Sequence, residues 1–181
     1  TTKGETLKIE GPAQLPPPQE IAAVAEPYIL ASIHLPTTYL GEVMKLCEER
    51  RGTQRELKYH TSDKVVLKYE LPLSEVIWDF YNRLKSVTRG YASFDYEHLE
   101  FRNAAVVRLD ILLNGEKIDA LSLMVPKEKA YYKGRDLVEK MRKIIPRHLF
   151  EVAIQAAVGG RVIARESIPA LRKNVTAKCY G

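Results

Sequence analysis

The sequence predicts an α+β chain of two successive modules, and three observations carry that reading. Over residues 26–103, β-rich runs and helical apolar stripes alternate in the order β-α-β-β-α-β. Over residues 104–181, two hairpin signals, Asn114-Gly115 and Gly159-Gly160, flank one further helical stripe. Ahead of both, Pro16, Pro17 and Pro18 stiffen PAQLPPPQE into an extended linker. Residues 1–25 therefore read as the end of a preceding domain, with TTKGETLKIEG as a strand, followed by that linker.

The elements of the first module follow in order. PYILASIHLP (27–36) is a β-rich run. Thr37 and Thr38 are good N-caps for a helix whose Tyr39, Val43, Leu46 and Cys47 recur at helical spacing. Arg50-Arg51-Gly52 supplies cations and a glycine where that helix should stop. TQRELKYH (53–60) and KVVLKYELP (64–72) read as strands around Thr61-Ser62-Asp63. Ser74 can cap a second helix with Val76, Ile77, Phe80, Leu84 and Val87 on one face, closed by Gly90, and YASFDYEHLEF (91–101) is the last strand. This order is the ferredoxin-like split βαβ unit, with both helices on one face of a four-stranded antiparallel sheet.

The second module is a smaller α+β domain of two hairpins and one main helix. VVRLDILL and EKIDALSLMV pair across Asn114-Gly115, and KEKAYYKG (127–134) reads as a polar loop. Leu137, Val138, Met141, Ile144 and Ile145 form the stripe of a helix that Pro146 ends. LFEVAIQAAV and RVIARESI make the second hairpin, and PALRKNV closes as one or two helical turns capped by Ser167.

Apolar residues are 45% of the 181 and charged residues 28%, close to the globular average and enough for real cores. No apolar run approaches the roughly 20 residues a bilayer span needs. The expectation is a soluble cytoplasmic protein. Cys47 and Cys179 lack any C-x-x-C partner and read as one core residue and one tail thiol.

Patterns for catalysis fail. There is no G-x-x-x-x-G-K-[ST], G-x-S-x-G or H-E-x-x-H. His34, His60, His98 and His148 are far apart in sequence and show no metal-ligand spacing, so they read as satisfied or exposed histidines. Asp95 and Glu97 alternate onto one strand face, but no nucleophile or base accompanies them, and they read as surface charges.

Charge is the better lead. Residues 127–181 hold 13 Lys/Arg against 5 Asp/Glu, a net of +8, whereas residues 1–126 are net −3. Such polarity suggests an anionic partner, nucleic acid or an anionic membrane face. The candidate RNA-binding cations are Lys127, Lys129, Lys133, Arg135, Arg142, Lys143, Arg161, Arg165, Arg172, Lys173 and Lys178. Arg161 and Arg165 alternate on one strand and should share a face. Tyr131 and Tyr132 lie among the lysines; exposed, they can stack on unpaired bases, and they serve equally well as core or rim residues.

EPYILASIHLPTTYLGEVMKLCEERRG followed by YASFDYEH resembles the fifth domain of elongation factor G and its equivalent in the LepA family of translational GTPases. RLDILLNGEKIDALS, FEVAIQAAVGGRVIARESI and ALRKNVTAKCYG resemble the C-terminal domain peculiar to LepA. The resemblance implies a ribosome-dependent GTPase assigned to reverse movement of tRNAs and to initiation and subunit assembly. It implies that the first module faces large-subunit rRNA near the factor-binding centre and that the basic module reaches tRNA. GTP and Mg²⁺ would belong to a G domain outside these residues, so no cofactor and no chemistry are expected of them. A basic tail is expected beyond Gly181. The fragment is expected to be monomeric, with peripheral contact on the inner face of the cytoplasmic membrane as a further partner open to the basic third. A protein-interaction module docking on ribosomal proteins through its sheet edge is the rival reading, and a small enzyme on the open sheet face a weaker one.

Overall fold

The computed structural model describes residues 1–172, which fall into two compact units: residues 25–104, and residues 1–24 together with the chain from Ala105 onward. The first unit runs β1 (Ala25–Pro36), α1 (Leu40–Glu49), β2 (Thr53–Tyr59), β3 (Lys64–Pro72), α2 (Phe80–Val87) and β4 (Ser93–Asn103). Its antiparallel sheet has the order β2-β3-β1-β4, so β3 lies between the two strands that α1 connects. That is the expected ferredoxin-like sandwich.

Period-two alternation sets the core. Ile29, Ala31, Ile33 and Leu35 of β1 are buried beside Val65, Leu67, Tyr69 and Leu71 of β3. In register, Ile33 sits between Leu67 and Phe94. The helices close this face with Val43, Leu46 and Cys47 from α1 and Phe80 and Leu84 from α2. Cys47 is the expected core residue, and burial pushes its thiol up to about 12. Cys179 lies outside the described residues.

Both helices of this unit start later than the caps predict. Thr37–Tyr39 form a 3-10 turn before α1, and the Thr37 hydroxyl donates to the Ser62 carbonyl oxygen at 3.1 Å instead of capping. Ser74 lies in the 3-10 turn Leu73–Glu75 and donates to Glu26 Oε2 at 3.3 Å. With α2 beginning only at Phe80, the helical phase that would have turned Ile77 inward is lost. Ile77 is 62% exposed, while Val76 remains buried.

The second unit contains β5 (Val106–Leu113), β6 (Glu116–Lys117), β7 (Leu123–Pro126), α3 (Ala130–Ile144), β8 (Val152–Val158) and β9 (Arg161–Ile168). The sheet order is β6-β5-β8-β9, with β7 pairing β5 alongside β6. The hairpin at Asn114-Gly115 forms, both residues at positive φ (51° and 82°), as a type I′ turn requires. Its return limb is broken by a 3-10 turn, Asp119–Leu121, after which the Ser122 hydroxyl donates to the buried Asp110 carboxylate at 3.0 Å.

Two expectations fail here for physical reasons. KEKAYYKG is not a loop: after a 3-10 turn, Lys127–Lys129, it opens α3. Ala130, Gly134 and Val138 form the helix's buried stripe at i, i+4, i+8, and the two small residues carry no apolar signal. A Cβ added at Gly134 would lie 3.0 Å from Ile163 Cδ1 and 3.2 Å from Ala156 Cβ, so the helix backbone sits directly on the sheet. TTKGETLKIEG is not a strand either. Thr1 folds it back locally, its hydroxyl accepting from Glu5 N–H at 3.1 Å and its carbonyl from Gly4 N–H at 3.1 Å. In the proline-rich stretch that follows, the Leu15 carbonyl oxygen accepts from Arg108 Nη1 at 3.4 Å.

The C-terminal turns capped by Ser167 do not form over 167–172. Ser167 lies within β9, where its hydroxyl donates to Glu151, and Pro169 to Arg172 are not helical. The rest of that stretch lies outside the described residues.

Candidate nucleic-acid interface

Of the cations predicted from sequence, Lys133, Arg135, Arg142 and Lys143 lie on α3 and Arg161 and Arg165 on β9, on different aspects of that module. On α3, Arg135 and Arg142 project along the flank nearest β9, since Arg142 Nη1 reaches Glu166 of β9 at 2.9 Å. Helical spacing places Tyr131 on this flank too, four residues before Arg135. Lys133 lies on the opposite flank, and Lys143 with Tyr132 points away from the sheet. Lys127 and Lys129 occupy the 3-10 turn that leads into the helix.

Arg161 and Arg165 do not share a face. A bulge between Ala156 and Ala157 inserts one extra residue into β9. Arg165 pairs with Gln155, whereas Arg161 pairs with Val158. Val158 in turn opposes Leu109, and Gln155 opposes Leu112, so the two arginines take opposite sides of the sheet. Ile163 is the unpaired bulge residue, and its Cδ1 approaches Gly134 on the helix side. β9 is also a sheet edge, so both arginines stand at an accessible margin.

Partnering separates these cations into two classes. Arg135 is bound to Glu139 at 3.0 Å and Arg142 to Glu166, and their helix neighbour Lys140 is bound to Asp136 at 2.7 Å. The Glu139 hydrogen bond raises the Arg135 pKa further above its usual value. Lys127, Lys133, Lys143, Arg161, Arg165 and Arg172 are exposed and form no ion pair among the described residues. Arg147, absent from the cations singled out by sequence, is exposed beside them and also without an ion-pair partner there. Its signal is the basic run from Lys140 to Arg147, hidden when Pro146 is read only as a stop. Lys173 and Lys178 lie outside the described residues.

Tyr131 and Tyr132 are 51% and 73% exposed with their rings edge-to-face at 5.6 Å, so neither is a core residue. Asp95 and Glu97 do share the open face of the first sheet, opposite Ser32 and Leu30. Among the described residues no three His, Cys, Asp or Glu side chains gather as a metal site, and no helix there is long and apolar enough to cross a membrane.

This geometry is a basic rim around one helix and one strand edge, a chemistry that can neutralise a polyanion. Residues 23–112 match the family described as elongation factor G C-terminus, and residues 113–181 match the GTP-binding protein LepA C-terminus. The junction falls inside the first hairpin of the second unit, at the end of β5. In this order and without a gap between them, the two matches show that the chain belongs to the LepA family of translation factors, carrying an elongation-factor-G-type C-terminal module joined to the LepA C-terminal domain.

Proposed function

We propose that the chain is a ribosome- and tRNA-binding part of its translation factor, acting by position and doing no chemistry itself. One observation carries this reading: six exposed cations of the α3/β9 module, Lys127, Lys133, Lys143, Arg161, Arg165 and Arg172, have no ion-pair partner among the described residues. A cation without a protein partner is free to neutralise a phosphate, and the counterions that the nucleic acid then releases drive association. The tyrosines beside them add flat surface for unpaired bases. In this reading the basic module contacts tRNA and the first module large-subunit rRNA near the factor-binding centre. GTP and Mg²⁺ act at the G domain of such a factor, and the setting is the cytoplasm.

The test is binding of the chain to large subunits, and to ribosomes carrying tRNA, across a salt series. Affinity should fall linearly on a log–log plot, and reversing Lys133, Lys143, Arg161 and Arg165 to Glu should reduce both affinity and slope. Affinity that stays flat with salt, or that survives these reversals, overturns the reading. Binding retained by ribosomal proteins stripped of RNA supports a protein-docking module instead, and flotation with anionic vesicles at the same salt reports membrane contact.

A further inference from the structure

The open face of the first sheet ends in a cleft of about 430 Å³ lined by His34, His60, Lys64, Tyr91 and Ser93. The register of three strands builds it. His34 on β1 lies between Val66 of β3 and Ser93 of β4. His60 follows β2, and its N–H donates to the Lys64 carbonyl oxygen at 3.0 Å, closing the 60–64 turn. That turn is tied to the end of β1, since the Thr37 N–H donates to the Asp63 carbonyl oxygen at 2.9 Å. The cleft walls are thus held by backbone bonds.

The rings in it are aligned. The His34 and His60 imidazoles are parallel within 6°, with centroids 6.3 Å apart, inside the roughly 4.5–7 Å range of offset-stacked rings. Tyr91 is 70% exposed and lies within 17° of parallel to Tyr39, centroids 6.4 Å apart. The Lys64 ammonium stands at the margin, exposed and without an ion pair among the described residues.

Other uses fit less well. The two imidazoles have no third ligand for a metal among the described residues. No hydrogen bond joins Ser93 to either histidine, so no nucleophile is activated. Both histidines are exposed, so neither serves the core. What remains is flat π-surface next to one cation, the chemistry that receives an unstacked base and its phosphate.

We propose that this cleft is a nucleotide subsite, taking one splayed base of RNA against the His34 and His60 rings with its phosphate toward Lys64. The proposal deepens the RNA-binding reading by giving the first unit a defined contact, independent of the basic rim of the second.

The experiment is an NMR titration of the imidazole signals of the whole chain with AMP and UMP, and separately with inorganic phosphate. Four histidines provide internal controls. The His34 and His60 signals should shift with the nucleotides and not with phosphate, while His98 and His148 stay in place. Substituting His34→Ala or His60→Ala should weaken nucleotide binding at least about fivefold, and His60→Phe, which keeps a flat ring, should weaken it less. Equal movement of all four histidines, full reproduction of the shifts by phosphate, or no movement up to the nucleotides' solubility overturns the proposal. The glutamate reversals in the second unit leave these shifts unchanged, so loss of ribosome binding there and loss of the subsite here are separate outcomes.

Discussion

Four of the six arginines of the first unit are bound to carboxylates, whereas four of the seven among the described residues of the second are not. In the first, Arg50 holds Asp79 at 2.7 Å, Arg51 holds Glu26 at 2.6 Å and Glu75 at 3.1 Å, and Arg55 and Arg102 grip Glu70 from two sides at 2.8 and 2.7 Å. These guanidiniums are architectural: Arg50 and Arg51 tie the end of α1 to the entry of α2 and to β1, and Arg55 and Arg102 tie β2 and β4 to β3. In the second unit Arg147, Arg161, Arg165 and Arg172 have no carboxylate partner among the described residues. Composition alone does not distinguish the two uses. The difference is whether the fold brings an acid within reach, and a cation left without one is free to meet a ligand.

The sharpest way to break this contrast is to remove an architectural arginine. Arg51→Ala leaves the Glu26 carboxylate, 11% exposed, with only the Ser74 hydroxyl and should cost about 2–4 kcal/mol. Denaturant melts should show it, with amide exchange rising first in β1 and β3. Next in size is a steric test of the second unit. Gly134→Val drives two methyls into Ile163 and Ala156 and should cost about 1–3 kcal/mol, read as reduced amide protection across α3 while β1–β4 keep theirs.

A pH test follows. The Arg102 hydrogen bond holds the Glu70 carboxyl below its ordinary value, about 4.3 in an unfolded chain. A depressed carboxylate contributes stability that is present above that pH and lost as pH falls through the lower, folded-state value. Glu70→Gln should therefore destabilise the first unit by about 1–2 kcal/mol near neutrality and lose less stability than the parent on acidification below about pH 4. Smallest in stability is Arg161→Ala with Arg165→Ala, expected within about 0.5 kcal/mol of the parent. The same pair should lower the salt slope of ribosome binding by about one unit for each phosphate left without its arginine. A large stability loss there would place these arginines with Arg51 and erase the contrast.

Much of the fold is legible in the sequence because alternation and turn chemistry are local. β1 shows its inward Ile29, Ala31, Ile33 and Leu35 directly, and Asn114-Gly115 marks its own turn. Failures come where a distant contact overrides a local signal. Thr37 and Ser74 look like caps, yet their hydroxyls serve Ser62 and Glu26, 25 and 48 residues away. Gly134 carries no apolar signal, although a tight helix–sheet approach depends on it. At the candidate interface, charge polarity locates the α3/β9 module, but the ion pairing that sets Arg142 apart from Arg161 depends on where Glu166 falls in three dimensions. The His34/His60 cleft gives no warning, because residues 26 positions apart become neighbours only through β3.

The extra residue in β9 has a consequence for how this segment can change over time. Arg161 and Arg165 reach different sides of the sheet only because Ile163 is left unpaired between them. Swapping one side chain for another of similar character would leave that division intact. Inserting a single residue into β8 between Ala156 and Ala157 would give Ile163 a partner, restore plain alternation and put Arg161 on the same side as Arg165. The number of residues in this hairpin, more than their identity, decides which surface carries charge, so the segment should tolerate substitution far better than a change in length.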